Sequence, residues 1–194
     1  MFLITVACGA LPALIEVMRT DQLALHAAIN AHHVPLSDLF FRYSTHLADG
    51  LVPTVIALGL LYWKDWRAFL MVGGSAAFSA IVAQLLKHWF FADADRPSMF
   101  LDRMPGMNTV AGLELYQHHS FPSGHSTCAF STALALAVLI GRQSTAFALA
   151  ILACVLGFSR VYLSQHFTED VLAGALIGCT TAVGVWWWLY RSAF

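Results

Sequence analysis

Charged residues are scarce in this sequence. Only 11% of its 194 residues are Asp, Glu, Lys or Arg, whereas 59% are hydrophobic, and the mean hydropathy is +0.69. Soluble domains carry roughly 25% charged residues and about 45–50% apolar residues, so this chain has too little charge to cover a soluble surface. The same composition excludes a disordered chain, a coiled coil and a collagen-like chain. The sequence therefore predicts a protein that lies in a lipid bilayer.

An excess of positive charge is also absent. The chain has 10 Lys and Arg residues against 11 Asp and Glu residues, a formal net charge of −1, so it has no basic field to attract nucleic acid. The cysteines form no Cys-x-x-Cys pair that would indicate a metal or redox site. We expect buried thiols without a structural disulfide, because every cysteine lies in an apolar run. The four are Cys8, Cys128, Cys154 and Cys179.

Long apolar runs are what the sequence does contain. A transmembrane helix needs about 20 mostly apolar residues, and six segments approach or reach that length. They run from about residues 2 to 17, 50 to 63, 68 to 86, 122 to 141, 144 to 163 and 171 to 190. No Lys or Arg precedes the first segment, so we expect a retained anchor instead of a signal peptide. Residues 19–49 mix apolar side chains with His, Asp and Arg, which favours an amphipathic interfacial segment.

These segments predict an all-α integral membrane protein. We expect one domain, residues 1–194, built as a six-transmembrane-helix bundle with an interfacial helical segment between the first two spans. Six crossings place both termini and the two tightest connections on the same side of the membrane. Short loops rich in Lys and Arg face the cytoplasm. The predicted cytoplasmic side carries Lys64, Arg67, Arg142 and Arg191.

Polar residues gather in three clusters at the ends of the predicted spans, and the topology places all three on the opposite face. Charged residues at the edge of the hydrocarbon layer are costly and mark functional sites. The first cluster ends the third span, the second begins the fourth, and the third bridges the fifth and sixth. Their polar members are Lys87 and Arg96, then Ser123, Gly124 and His125, then Ser159, Arg160, His166 and Asp170.

The cations and the helix start in these clusters suit phosphate binding. Lys87, Arg96 and Arg160 have no obvious carboxylate partner within their own clusters. Guanidinium groups match the geometry of phosphate oxygens, and an ammonium group adds a point charge. Ser123 and Gly124 precede the fourth helix, whose first turn offers unpaired N–H groups that bind anions. Together these groups predict a site for a phosphoryl group.

The two histidines add the reactive groups. His166 and Asp170 are four residues apart, so a helical turn would place them on one face. A carboxylate there fixes the imidazole tautomer and leaves the other ring nitrogen free to attack. His125 then remains as an acid for the leaving oxygen. The residues by themselves describe phosphoryl transfer without a metal.

The motifs in the three polar clusters resemble those of the type-2 phosphatidic acid phosphatase family of membrane lipid phosphatases. The family signature is Lys-x6-Arg-Pro, then Pro-Ser-Gly-His, then Ser-Arg-x5-His-x3-Asp. Residues 122–125 match the second motif in full, and residues 159–170 match the third. The first motif departs from the signature because eight residues separate Lys87 from Arg96 instead of six. The resemblance covers a motif-bearing core of about residues 86–173, and we expect its loop to absorb the insertion.

The resemblance implies a site at the outer face of a bacterial cytoplasmic membrane, without a cofactor or metal. It implies that His166 becomes transiently phosphorylated with support from Asp170, and that His125 protonates the leaving group and then activates water. Known members act on phosphatidic acid, phosphatidylglycerol phosphate, undecaprenyl diphosphate or lipid A phosphates, and some transfer the phosphate to another acceptor. The residues implied to hold the phosphoryl oxygens are Lys87, Arg96, Arg160, Ser123 and Gly124.

Two other classes compete with this interpretation. An intramembrane serine hydrolase could use Ser123 or Ser126 with a histidine, but peptide hydrolysis does not need three cations. A non-catalytic carrier or channel for lipid phosphates would need the cations, but binding alone does not need the orienting pair His166 and Asp170. Labelling of Ser123 by a fluorophosphonate probe would favour the serine hydrolase.

Two smaller features leave their role open. His118 and His119 could be part of a plain polar loop, contact the substrate headgroup, or bind a metal, although adjacent side chains seldom converge on one ion. Gly174 and Gly178 are four residues apart, a spacing typical of close helix contacts. That contact could lie inside the chain or between two copies.

Overall fold

The computed structural model describes residues 1–191, and every regular element in that part of the chain is helical. A 3₁₀ turn, Thr45–Ala48, precedes the fourth helix, and a 3₁₀ helix, Pro97–Phe100, lies in the long connection before the sixth. The all-α class is confirmed. The helices are α1 (Phe2–Arg19), α2 (Gln22–Asn30), α3 (Pro35–Ser44), α4 (Leu51–Tyr62), α5 (Trp66–Phe90), α6 (Gly124–Ile140), α7 (Gln143–Tyr162) and α8 (Thr168–Tyr190).

Four of these helices, α1, α5, α7 and α8, are long and apolar enough to cross a membrane. The segment Pro35–Ala48 passes the same test together with α4, but the two are bent by 45° at their junction. The described part of the chain therefore holds four candidate spans, or five if the bent pair is one span. Helix α6 is apolar but has only 17 residues. The six-span count is not confirmed and stays a prediction.

The apolar segments drawn from the sequence coincide with helices, but three ends differ in ways that affect the polar clusters. Helix α5 continues past residue 86 to residue 90, so Lys87 lies inside the helix. Helix α6 begins at Gly124 instead of residue 122, because Ser123 caps it. Helix α8 begins at residue 168 instead of 171, which places Asp170 in its first turn.

Helices α6 and α8 approach each other closely, and two glycines make this possible. A Cβ atom at Gly174 would lie 2.6 Å from the carbonyl oxygen of Ser123, and one at Gly178 would lie 2.5 Å from that of Thr127. Small residues allow such an approach between membrane helices. The Gly174 and Gly178 spacing is therefore an internal contact. It sets the start of α8 against the start of α6, where the Ser123 amide donates to the carbonyl of Asp170 at 3.0 Å.

We expect Gly178→Ala to destabilise the protein, because the added methyl group has no room beside the α6 backbone. Overpacking of this kind costs about 1–3 kcal/mol. Gly184 is the matched control in the same helix, since a Cβ atom there would meet no atom within 4 Å. Thermal unfolding in detergent should show a lower midpoint for Gly178→Ala than for Gly184→Ala. Equal midpoints for the two variants would contradict this account of the α6–α8 contact.

The helices of the interfacial segment are tied to the turn after α7 by a buried polar network. His26 Nε2 lies 3.2 Å from the Ser164 hydroxyl, and the Asn30 amide donates to the same hydroxyl at 3.1 Å. Asn30 also accepts the backbone N–H of Asn108 at 2.6 Å. Burial lowers the pKa of His26 to about 4, so its ring is neutral at pH 7. The network holds α2 against the turn that leads to His166.

Candidate active site

The three polar clusters meet at one end of the helix bundle. Lys87 lies near the end of α5 and Arg160 near the end of α7, while His125 and Asp170 lie in the first turns of α6 and α8. Successive antiparallel helices bring these ends together. The side chains at the centre are buried, and His166 is only 1% exposed. The structure thus gathers residues from all three motifs in one place.

His166 is held by the carboxylate of Asp170. The His166 Nδ1 atom lies 3.3 Å from Asp170 Oδ2. The same oxygen accepts the Ser120 hydroxyl at 2.5 Å and the backbone N–H of Phe167 at 2.9 Å. The His166 backbone N–H donates to the carbonyl of Arg160 at 3.2 Å. With Nδ1 facing the carboxylate, Nε2 is the ring nitrogen that can act as a nucleophile.

The electrostatic surroundings keep His166 uncharged. Burial lowers the pKa of the His166 imidazole well below its usual value, and the positive charges of Arg96, Arg160 and Lys87 lower it further. A neutral imidazole has a lone pair available at Nε2, whereas an imidazolium ion has none. The same cations that disfavour a proton on His166 would attract a phosphate group.

Arg96 is positioned by carbonyl groups from two separate turns. Its Nε donates to the carbonyl of His118 at 2.9 Å, and its Nη1 donates to that of Gln165 at 3.0 Å. A longer bond of 3.4 Å joins Nη2 to the carbonyl of His119. These bonds leave part of the guanidinium fork for a ligand, since arginine has five N–H donors. They also fix the long connection against the residue that precedes His166.

His118 and His119 therefore bind Arg96 through their backbone carbonyls and not through their rings. The His118 ring itself lies 2.7 Å from an oxygen of Asp95, in a half-exposed pair. The His119 ring lies beside that of His88, with 4.7 Å between centroids. Among residues 1–191 no group of three His, Cys, Asp or Glu side chains is placed to share a metal ion.

The two other cations are held differently. Arg160 Nη1 donates to the hydroxyl of Thr45 at 2.8 Å, and Ser159 donates to the same hydroxyl at 3.2 Å. Lys87 lies in a π-helical turn, Leu86–Phe90, that ends α5. A π turn closes its hydrogen bonds over five residues instead of four and so accommodates an extra residue. Of the eight residues between Lys87 and Arg96, residues 88–90 lie in this turn and residues 91–95 in the loop.

The start of α6 has its polar groups arranged around Ser123. The Ser123 hydroxyl accepts the N–H of Ser126 at 3.3 Å and the hydroxyl of Ser126 at 3.0 Å. Within the described residues neither hydroxyl bonds to a histidine, which speaks against a serine nucleophile. A Cβ atom at Gly124 would meet nothing within 4 Å. The first turn of α6 therefore borders open space, as an anion site at a helix start requires.

His125 has a carboxylate partner that the sequence analysis missed. Its Nε2 atom lies 2.7 Å from Oδ1 of Asp49, which lies just before α4. A groove of about 440 Å³ between α4, α5 and α6 reaches both side chains. The missed signal was the spacing of His46 and Asp49, which could have marked a polar pair within the interfacial segment. Other site contacts that sequence reasoning did not name come from Ser120, Gln165 and Thr45.

The fold and site define a class: all-helical membrane proteins with a His–Asp pair and three buried cations at one end of the bundle. Comparison with known proteins agrees with this description. The sequence model of the PAP2 superfamily matches residues 68–194. The chain belongs to the PAP2 superfamily, and the resemblance to membrane lipid phosphatases inferred from its motifs is confirmed.

Two curated relatives match most of the chain. YbjG of Escherichia coli strain K12, provisionally named an undecaprenyl-diphosphatase, is 32% identical over 152 residues, which span 72% of this chain and 70% of YbjG. The bacitracin transport permease protein BcrC of Bacillus licheniformis is 31% identical over 142 residues, which span 72% of this chain and 67% of BcrC.

Two solved structures share the fold. LpxE of Aquifex aeolicus superposes with a TM-score of 0.70 at 27% identity, covering 85% of this chain and 94% of LpxE. A PAP2-type phosphatidylglycerolphosphate phosphatase of Bacillus subtilis superposes with a TM-score of 0.68 over 97% of this chain and 96% of its own length. At 22% identity the second likeness concerns the fold alone.

Proposed function

We propose that this protein is a membrane lipid phosphatase that hydrolyses a lipid phosphate monoester or diphosphate through a phosphohistidine at His166. The observation that carries the proposal is the buried, neutral His166 ring, held at Nδ1 by Asp170 and surrounded by Lys87, Arg96 and Arg160. A carrier would need the cations but no oriented imidazole. The name of YbjG, which refers to undecaprenyl diphosphate, supports a lipid substrate.

In the first step His166 Nε2 attacks the terminal phosphorus, and an N–P bond forms while the bond to the leaving oxygen breaks. His125 donates its proton to that oxygen, so the lipid alcohol or lipid phosphate leaves in protonated form. The cations, the Ser123 hydroxyl and the N–H of Gly124 stabilise the charge on the transferred phosphoryl oxygens. Asp170 stabilises the positive charge that develops on the His166 ring.

In the second step the now neutral His125 takes a proton from a water molecule. The water oxygen attacks phosphorus, the N–P bond breaks, and inorganic phosphate leaves. His166 returns to its neutral form with Nδ1 facing Asp170, and His125 is protonated again. The cycle is balanced without a metal or cofactor, and replacing the water by another acceptor hydroxyl would make the same site a phosphotransferase.

The lipid chain of the substrate would lie in the groove that reaches His125. Its walls include small residues of α5, among them Gly73, Ala76 and Ala80, which leave room for an extended hydrocarbon chain. We place α6 as the fourth of six crossings of a bacterial inner membrane, with Lys64 and Arg67 on the cytoplasmic side. The site then faces the periplasm or the outside.

The test is phosphate release by the detergent-purified protein in the presence of EDTA. The lipid panel is undecaprenyl diphosphate, phosphatidylglycerol phosphate, phosphatidic acid and lipid A, each measured beside a His166→Ala control. We expect release that resists the chelator and is lost in the variant, and the lipid with the highest kcat/KM then identifies the substrate class.

Two results would overturn this function. Equal release by wild type and His166→Ala would exclude the histidine mechanism. Tight binding of a panel lipid with no release, even when a second lipid alcohol is added as acceptor, would favour a carrier over both a phosphatase and a phosphotransferase.

A further inference from the structure

Asp49 lies between two histidines, and each of its oxygens has one of them as a partner. Oδ1 lies 2.7 Å from Nε2 of His125, and Oδ2 accepts a hydrogen bond from Nδ1 of His46 at 3.0 Å. The three side chains form a series from the surface inward, because His46 is 68% exposed, Asp49 38% and His125 34%. None of the proposed catalytic steps uses Asp49 or His46.

Asp49 is an ionised acceptor in this arrangement. Burial opposes its ionisation, but the contacts with His46 and His125 outweigh burial and hold the pKa of the Asp49 carboxyl below its ordinary value. The other charged groups that face His125 are Arg160 from α7 and Arg96 from the long connection. Burial of the His125 ring and both of these cations disfavour a positive charge on it. Asp49 is the carboxylate that favours the protonated ring and opposes these effects.

The contact decides which nitrogen of His125 meets the substrate. With Nε2–H directed at Asp49, the lone pair of the neutral ring is at Nδ1, which can accept a proton from water. When the ring is protonated, Nδ1–H is the donor that remains for the leaving oxygen. A ring with the opposite tautomer would present Nδ1–H while neutral and could not activate water.

We propose that Asp49 is a positioning residue that fixes the tautomer of His125 and stabilises its protonated form, and that His46 holds Asp49 in place. The proposal rests on the phosphatase function proposed above and adds a component to it. The 3₁₀ turn Thr45–Ala48 and the residue after it thus belong to the active site, although they lie outside the matched residues 68–194. Thr45 of the same turn already holds Arg160.

The first test is the pH dependence of kcat for Asp49→Asn. We expect kcat at pH 7 to fall about 10²-fold, as for an impaired general acid–base group, while KM stays within about threefold because phosphate binding is untouched. Loss of the negative charge disfavours protonated His125, so the limb of the profile that His125 controls should move to lower pH by about one unit. Asp49→Glu should recover part of the activity.

Asp65→Asn is the matched control. It is the same substitution at an aspartate that caps the start of α5, at the far end of that helix from the site. Its profile should coincide with that of the wild type. A wild-type kcat in Asp49→Asn would overturn the proposal. So would a lower kcat with an unshifted profile and no recovery in Asp49→Glu, since that pattern indicates a structural role only.

A readout without turnover separates this proposal from the phosphatase function. The ¹⁵N resonances of the His125 ring, assigned by their loss in His125→Gln, report the tautomer in detergent. We expect the Nε2–H form in the wild type and a mixture of forms in Asp49→Asn. An inactive wild type with the Nε2–H form would overturn the phosphatase function and support the contact. The same mixture in both proteins would overturn the role of Asp49.

Discussion

Phosphate release by His166→Ala is expected to fall by about 10⁴-fold or more, because the covalent route through the imidazole is lost. The protein should still fold. The deleted ring is neutral, so Asp170 loses one hydrogen bond but no charged partner. It keeps its bonds from Ser120 and Phe167. Residual release would come from water attacking a phosphoryl group that the cations still hold.

A matched control and a chemical trap make this result decisive. His32 is exposed in the turn after α2, so His32→Ala removes the same side chain without touching the site and should keep wild-type turnover. Rapid quenching with ³²P-labelled lipid should give a label on the wild type that is stable in alkali and lost in acid, as phosphohistidine is. His166→Ala should carry no label.

Two outcomes would contradict the mechanism. Turnover of His166→Ala close to that of His32→Ala would remove His166 from the chemistry. A fully active wild type that never carries a label would mean that water attacks the lipid phosphate directly, with His166 only a ligand. Equal thermal midpoints of the two variants in detergent are the check that activity, and not folding, has changed.

Replacing Asp170 by Asn is expected to lower kcat about 10⁴-fold, because a carboxylate that orients a catalytic imidazole and stabilises its positive charge is worth roughly that much. The amide has the same size, and its oxygen can still accept the Phe167 N–H at the start of α8. What is lost is the negative charge 3.3 Å from His166 Nδ1. Without it the positively charged phosphorylated ring loses its stabilising partner.

Ser120→Ala is the comparison that isolates the charge. It removes one hydrogen bond to the same oxygen, Asp170 Oδ2, but keeps the carboxyl group itself. We expect a loss of roughly tenfold or less, in line with one buried hydrogen bond. The activity loss of each variant is measured as steady-state kcat on the lipid of the panel with the highest kcat/KM. A smaller loss in Asp170→Asn than in Ser120→Ala would show that the charge of Asp170 is not what supports His166.

Local sequence was sufficient for the class of protein and for most of its helices. The low content of charged residues predicted a membrane protein. The apolar runs predicted helices whose bounds lie close to the observed ones. Both are properties of neighbouring residues, since helix formation and hydrophobic length depend on what lies within a few turns. The alternation of helices was also enough to bring Lys87, His125 and Asp170 to one end of the bundle.

The sequence by itself thus determined which residues carry the candidate chemistry, whereas only the tertiary structure decided what holds them. Asp49 reaches His125 across 76 positions of the chain, and carbonyls from two distant turns hold Arg96. The internal role of Gly174 depends on a carbonyl of α6. Such contacts join segments far apart in the chain, and their partners follow from how helices pack and turn. No local spacing or periodicity in the sequence specifies which of these distant residues meet.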